Sequence, residues 1–276
     1  MIFAALCLGR RKRTAPIVTG LLVLLAVTAC SPTPLAGPTA TAPGETAASP
    51  MPTFVALPTP TPEVKTRDLH AATGAGRWYP ADPAKLRAAV EAYVGQAQVP
   101  PLPGPLLAVV VPHAGYLYSG AVAGYAFRAL QEAGCAGATL AVVGDTHSGD
   151  GSAAIAVWAA GAFETPLGRV PVDEAVAQAV VAADPGIEFD RAAFRDEHPV
   201  ENQLPFIQVV CPGARIVPVV IREPTPENAQ LLAEALVAAS GDRQAMVVAS
   251  TDLSHYHPYD EARQIDEVAL QAIASL

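Results

Sequence analysis

Four short apolar runs constrain this fold more than any other feature: Leu106–Val111, Thr139–Val143, Arg215–Ile221 and Ala245–Ser250. Their interiors hold no polar residue and are rich in Val and Ile. Such strands are buried on both faces, and a mainly parallel sheet covered by helices on both sides meets that condition. Ala153 to Trp158 reads as a further strand. Pro218, inside Arg215–Ile221, predicts an edge position or a bulge, because proline has no N–H to donate.

Segments of helical character separate the strands. Asp82-Pro83 is a helix start, with Asp as N-cap and Pro in the first turn, and Leu86, Val90, Tyr93 and Val94 follow helical spacing. Ser119 predicts the cap of a second helix ending near Gly134. Further helices are expected from Pro171-Val172-Asp173 onward, over Pro226 to Ala239 and over Tyr259 to Leu276. The alternation predicts one α/β domain at 67–276, a three-layer αβα sandwich with a mainly parallel sheet.

The first 66 residues read as segments apart from that domain. Arg10-Arg11-Lys12-Arg13 precedes an apolar stretch, Ile17 to Val27, too short to span a membrane comfortably but suited to a signal-peptide core. It ends in Val27-Thr28-Ala29-Cys30, which resembles a bacterial lipobox. Residues 1–30 thus read as a lipoprotein signal peptide with Cys30 as the acylated residue. Residues 31–66 hold nine Pro and eight Thr, a composition that favours an extended, disordered tether. The predicted location is exported, lipid-anchored to the bacterial cell membrane. Two cysteines remain beyond Cys30, Cys135 and Cys211, which either pair or stay as buried thiols. The formal net charge of −9 excludes the clustered cationic surface that nucleic-acid binding needs.

The carboxyl ends of parallel strands are where ligands bind in such sheets. Three of the six histidines follow strand ends: His113 after Leu106–Val111, His147 after Thr139–Val143, and His255 after Ala245–Ser250. Asp252, three residues before His255, can orient an imidazole or cap a helix. His198 and Glu201 share an i,i+3 spacing at a helix entry, which suits a base, an orienting pair or a capped start. Imidazoles suit Fe, Cu or Zn, and spacing alone does not choose among them. HExxH, CxxC, Walker and GxSxG patterns are absent.

Five motifs occur in one order: Trp78-Tyr79-Pro80; Pro112-His113-Ala114-Gly115-Tyr116; Gly144 to His147; Glu197-His198-Pro199-Val200-Glu201 with Leu204-Pro205; and Ser250-Thr251-Asp252-Leu253-Ser254-His255. Together they resemble the Memo family, whose bacterial and archaeal members are called AmmeMemoRadiSam system protein B. The resemblance covers about residues 74–276. It implies a fold similar to class III extradiol dioxygenases, and a pocket in which two His and a Cys bind copper or iron. On that basis His113 and His147 match the metal ligands, while Asp252 and His255 match the acidic and acid/base side. His198 and Glu201 match the EHxxE motif.

The sequence departs from the family pattern at Asp145, where many members have Pro, and in its lipobox and tether. It also ends before the Cys-Gly segment of the resemblance, and neither Cys135 nor Cys211 matches that third ligand, so a C-terminal truncation is expected. The implied function is a membrane-tethered metalloprotein with redox or dioxygenase-like chemistry on a small-molecule or peptide-like ligand. The alternative is a non-catalytic module that binds such a ligand on the same fold. A zinc-dependent hydrolase is a third reading.

Overall fold

The structure is a computed structural model that describes residues 5–7, 68–241 and 245–275. Cys30, the tether and nearly all of the leader lie outside these residues. In chain order the elements are β1 (Ala5–Cys7), β2 (Leu69–His70), α1 (Pro83–Gln96), β3 (Leu106–Val111), α2 (Tyr116–Glu132), β4 (Thr139–Asp145), β5 (Ile155–Val157), β6 (Ala162–Thr165) and β7 (Gly168–Pro171). They continue with α3 (Glu174–Ala183), β8 (Ile187–Phe189), α4 (Leu204–Val210), β9 (Arg215–Ile221), α5 (Pro226–Ser240), β10 (Ala245–Ser250) and α6 (Tyr259–Ala274).

The main sheet has the order β1-β3-β10-β4-β9-β5-β8. Its centre, β3, β10, β4 and β9, is parallel, as the apolar runs required. β5 lies antiparallel to β9, β8 is parallel to β5, and β1 pairs antiparallel with β3. Helices α1, α2 and α4 pack together, and α3 packs with α5. The result is the expected αβα sandwich. Leu140, Val142, Val217, Val219 and Val248 are buried, as expected for strands covered on both sides. None of the described helices is long and apolar enough to cross a membrane.

The helix starts follow the sequence signals in most cases. Asp82 accepts from the Lys85 N–H, and Leu86, Val90 and Val94 are buried along α1. Asp173 caps α3 through Val176 N–H and also accepts from the Thr139 hydroxyl at 2.6 Å, which ties α3 to the start of β4. Ser119 differs from expectation. Helix α2 begins earlier, at Tyr116, and the Ser119 hydroxyl donates back to Ala114 O at 2.7 Å.

Pro218 is a second correction, because β9 is central rather than at an edge. The Pro218 carbonyl accepts from Trp158 N–H and so faces the β5 side. In a strand, a residue's nitrogen and carbonyl face the same neighbour. The missing donor therefore falls where β5 has already ended at Val157. The sequence reading also missed a small sheet, β2-β6-β7. Its strands are too short to carry a periodic signal.

Phe206 on α4 joins the helical layer to the site. It is 1% exposed and stacks on Phe127 at 4.6 Å, with Tyr116 at 5.0 Å. Phe206→Ala is expected to destabilise the protein by about 3–5 kcal/mol through the lost contacts and the cavity left behind. Urea denaturation of the purified variant checks this, and a loss below about 1 kcal/mol contradicts such tight packing.

Candidate metal centre

Parallel pairing brings the ends of β3, β10 and β4 to one edge, with Ser250 opposite Val111 and Ala249 opposite Val143. His113 and His147 stand just beyond two of these ends. His198 arrives from the segment before the 3-10 turn Glu201–Gln203. Each of these three histidines offers a ring nitrogen, and the three nitrogens lie within 4.8 Å of one another. Gly144 allows the third to come so close, because a Cβ there would stand 2.5 Å from Pro199 Cβ.

Hydrogen bonds set the tautomers of two of the rings. The Ser250 hydroxyl donates to Pro199 O at 2.7 Å and accepts from Gln203 Nε2 at 2.8 Å. Its one proton is used, so the 3.2 Å contact to His113 Nδ1 requires that nitrogen to donate. His113 Nε2 therefore keeps its lone pair. His147 Nδ1 donates to Glu197 Oε2 at 3.2 Å, which leaves His147 Nε2 free in the same way. A carboxylate behind a ligating imidazole fixes the ring and raises its donor strength. His198 lies flat against Trp78, with ring centroids 4.2 Å apart and planes 13° apart.

Burial disfavours the protonated forms of His113 and His198. It lowers His113, against the opposing charges of Asp252 and Asp145, with His147 adding to the decrease. His198 is pushed down to about 4 by burial first, then by His147 and His113. Glu197 is 4% exposed. Burial pushes its carboxyl up, but hydrogen bonds from Ser148, Thr146 and His147 outweigh that and hold it below its ordinary value. Imidazoles with a lone pair free, as at His113 and His198, are what a transition metal requires of its ligands. The residues present fit such an ion.

The other candidates surround this group. Asp252 Oδ1 accepts from the backbone N–H of His113 at 2.7 Å and of Ala114 at 3.0 Å. It thus caps the loop after β3 rather than a helix of its own. Its Oδ2 is 3.4 Å from His255 Nε2 and 3.8 Å from His113 Nε2. His255 is exposed and donates from Nδ1 to Leu253 O at 2.8 Å. Glu201 is 1% exposed and both its oxygens are occupied. They accept from Thr73 N–H, the Thr73 hydroxyl, Gly74 N–H and the Tyr79 hydroxyl. Glu201 therefore anchors the loop that carries Trp78. Tyr79 is raised well above its ordinary value by burial and by this carboxylate.

Sequence reasoning assigned no role to Glu197, Ser250, Gln203 or Trp78. Glu197 stands next to His198 in the EHxxE motif, and that adjacency was the available signal. Cys135 and Cys211 form a disulfide across 76 residues. Of the two options left open, pairing is the one adopted.

A mainly parallel αβα sandwich with this imidazole cluster at its strand ends defines a class III extradiol dioxygenase-like domain. The model of the Memo-like protein family matches residues 70–276. The MEMO1 family protein MK0963 of Methanopyrus kandleri is 39% identical over 212 residues, which cover 73% of this chain and 74% of that protein. A MEMO1 family protein of Sulfolobus acidocaldarius is 37% identical over 215 residues, covering 73% and 75% of the two chains. This chain belongs to the Memo family.

The lowered pKa of His198 sets a pH dependence. An unfolded histidine titrates near 6.5. Between that pH and about 4, the unfolded chain takes up a proton that folded His198 refuses, so stability falls as pH drops through this window. His113 adds the same sign, and Glu197 adds its own loss below its ordinary value. The urea midpoint of metal-free protein is expected to fall from pH 6.5 to pH 4, and less steeply in His198→Asn. Parallel curves for the two proteins would remove the assignment.

Proposed function

We propose that this domain is a metal-dependent oxidoreductase of dioxygenase-like chemistry, held outside the cell membrane by a lipid on Cys30. The observation that carries the reading is the meeting of three ring nitrogens within 4.8 Å at the sheet edge. His113 and His147 would hold the ion, with His198 as the third imidazole. A bound Fe or Cu ion supplies a Lewis-acidic and redox-active centre, and Zn the Lewis acid alone.

The chain's own residues supply positioning and proton handling. Ser250 and Glu197 hold two rings with their Nε2 atoms free for the ion. His255 has its Nδ1 proton committed to Leu253 O, so its Nε2 is the nitrogen that accepts a proton. A proton there would meet Asp252 Oδ2, 3.4 Å away. The exposure of His255 suits an acid/base that meets a small-molecule or peptide-like ligand at the mouth of the site. The Memo-family match and the class of fold support this reading.

The disulfide supports the exported location, because such bonds persist in oxidising compartments. The basic run, apolar stretch and Ala29-Cys30 junction support the anchor.

Elemental analysis of protein purified without chelator tests the centre. Stoichiometric Fe, Cu or Zn is expected, with His113→Ala weakening retention by about 100-fold or more. Absence of metal from both proteins rejects the metalloenzyme in favour of a binding module on the same fold. Fractionation of expressing cells tests the anchor. Cys30→Ala is expected to move the protein out of the membrane fraction, and an unchanged distribution argues against lipidation.

A further inference from the structure

Three side chains converge on Gly74. A Cβ there would stand 3.0 Å from Glu201 Oε1, 3.1 Å from Trp78 Cδ1 and 3.2 Å from Tyr79 Cε1. Those two ring atoms are therefore no further apart than the last two lengths laid end to end. Trp78 is half-buried, and one face of its ring lies on His198, with centroids 4.2 Å apart. Tyr79 is buried, and its hydroxyl donates to Glu201 Oε1. A short run of π-systems thus leads from the imidazole cluster to a phenol that is hydrogen-bonded to a carboxylate.

Indole and phenol rings give up a single electron more readily than imidazole does. An oxidised phenol is a far stronger acid than a carboxylic acid, so its electron leaves easily only where a base takes the proton in place. Tyr79 has that base. The N–H groups of Thr73 and Gly74 and the Thr73 hydroxyl hold the Glu201 carboxylate in position. Tyr116 and Tyr93 stand next along, with centroids 5.7 Å from Tyr79 to Tyr116 and 6.4 Å from Tyr116 to Tyr93. Their hydroxyls donate to the backbone carbonyls of Asn202 and Tyr116, and a carbonyl does not keep the proton. An oxidising equivalent that enters this run comes to rest on Tyr79.

We propose that Trp78 and Tyr79 form an electron relay that draws oxidising equivalents away from the imidazole cluster and so protects its histidines. The inference rests on the redox reading of the cluster above. The oxidant is a one-electron oxidant of the class formed when peroxide meets a redox metal. One electron passes from Tyr79 through Trp78 to that oxidant. The phenol proton moves to Glu201 Oε1, so Tyr79 becomes a neutral phenoxyl and Glu201 a neutral acid. One electron from a thiolate or an ascorbate-type reductant reverses the step, and Glu201 returns the proton to the phenol oxygen. The partial exposure of Trp78 lets such a reductant reach the relay without entering the core.

Two measurements on the full-length protein test this. In the first, a ruthenium(III) polypyridyl oxidant generated by a light flash acts on metal-free protein, and electron paramagnetic resonance of frozen samples reads the radicals. Wild type is expected to give a neutral tyrosyl signal. Tyr79→Phe should lose it, and Tyr118→Phe, a control at an exposed position, should keep it. Glu201→Gln accepts the hydrogen bond but does not keep the proton, and should lose the signal too. Circular dichroism checks the fold of each variant. In the second, Cu(II)-loaded protein is treated with hydrogen peroxide, and peptide mass spectrometry locates added oxygen. Tyr79→Phe is expected to raise oxidation of Trp78 and His198 severalfold.

A tyrosyl signal of wild-type strength in Tyr79→Phe would overturn the proposal, as would unchanged oxidation of Trp78 and His198 under peroxide. Either result leaves the metal centre standing. If wild type binds no Cu(II), the metal-centre reading fails and the protective role fails with it.

Discussion

One buried hydroxyl, on Ser250 at the end of β10, holds together the three segments that make the site. It donates to Pro199 and accepts from Gln203 and His113. The 199–203 turn, the loop after β3 and the central strand are thereby locked at a single atom. Because a hydroxyl has one proton and two acceptor positions, saturating it also decides which nitrogen of His113 is free. Tyr116 and Asn202 reinforce the junction. The Tyr116 hydroxyl donates to Asn202 O, and Asn202 Nδ2 donates to His113 O. Without this knot, His113 and His198 would belong to loops with no common reference.

The same device recurs with carboxylates. Asp252 gathers the N–H groups of His113 and Ala114, Glu197 those of His147 and Ser148, and Glu201 those of Thr73 and Gly74. In each case an acid from one segment organises the backbone of another through charge-assisted hydrogen bonds. Loops built in this way are set by the protein's own hydrogen bonds. An ion bound there would spend little of its binding free energy on ordering the protein.

Much of the scaffold was legible because its causes are local. Asp82-Pro83 starts α1 whatever surrounds it, since the cap and the proline act within one turn. The buried strands announced themselves by apolar interiors. Where the reading went astray, a distant partner decided the outcome. Ser119 bonds back to Ala114 instead of capping a helix, and Pro218 is tolerated in a central strand because β5 stops beside it. The β2-β6-β7 sheet joins residues nearly a hundred positions apart with strands too short to show a period.

The site divides along the same line. His113, His147, Asp252 and His255 could be placed at one edge from sequence, since parallel strands put the residues after their carboxyl ends on the same side. His198 had no strand to place it, and its spacing to Glu201 proved a poor guide to partnership. Glu201 anchors the Trp78 loop, while His198 joins the imidazole cluster. The sequence by itself determined the αβα sandwich, its site-bearing edge and most of the residues there, because strand burial and capping depend on near neighbours. Only the tertiary structure decided which imidazoles meet, which nitrogens stay free, which acids support the backbone and whether Cys135 pairs with Cys211. Those outcomes depend on contacts between groups far apart in the chain, whose distances and proton assignments no local pattern encodes.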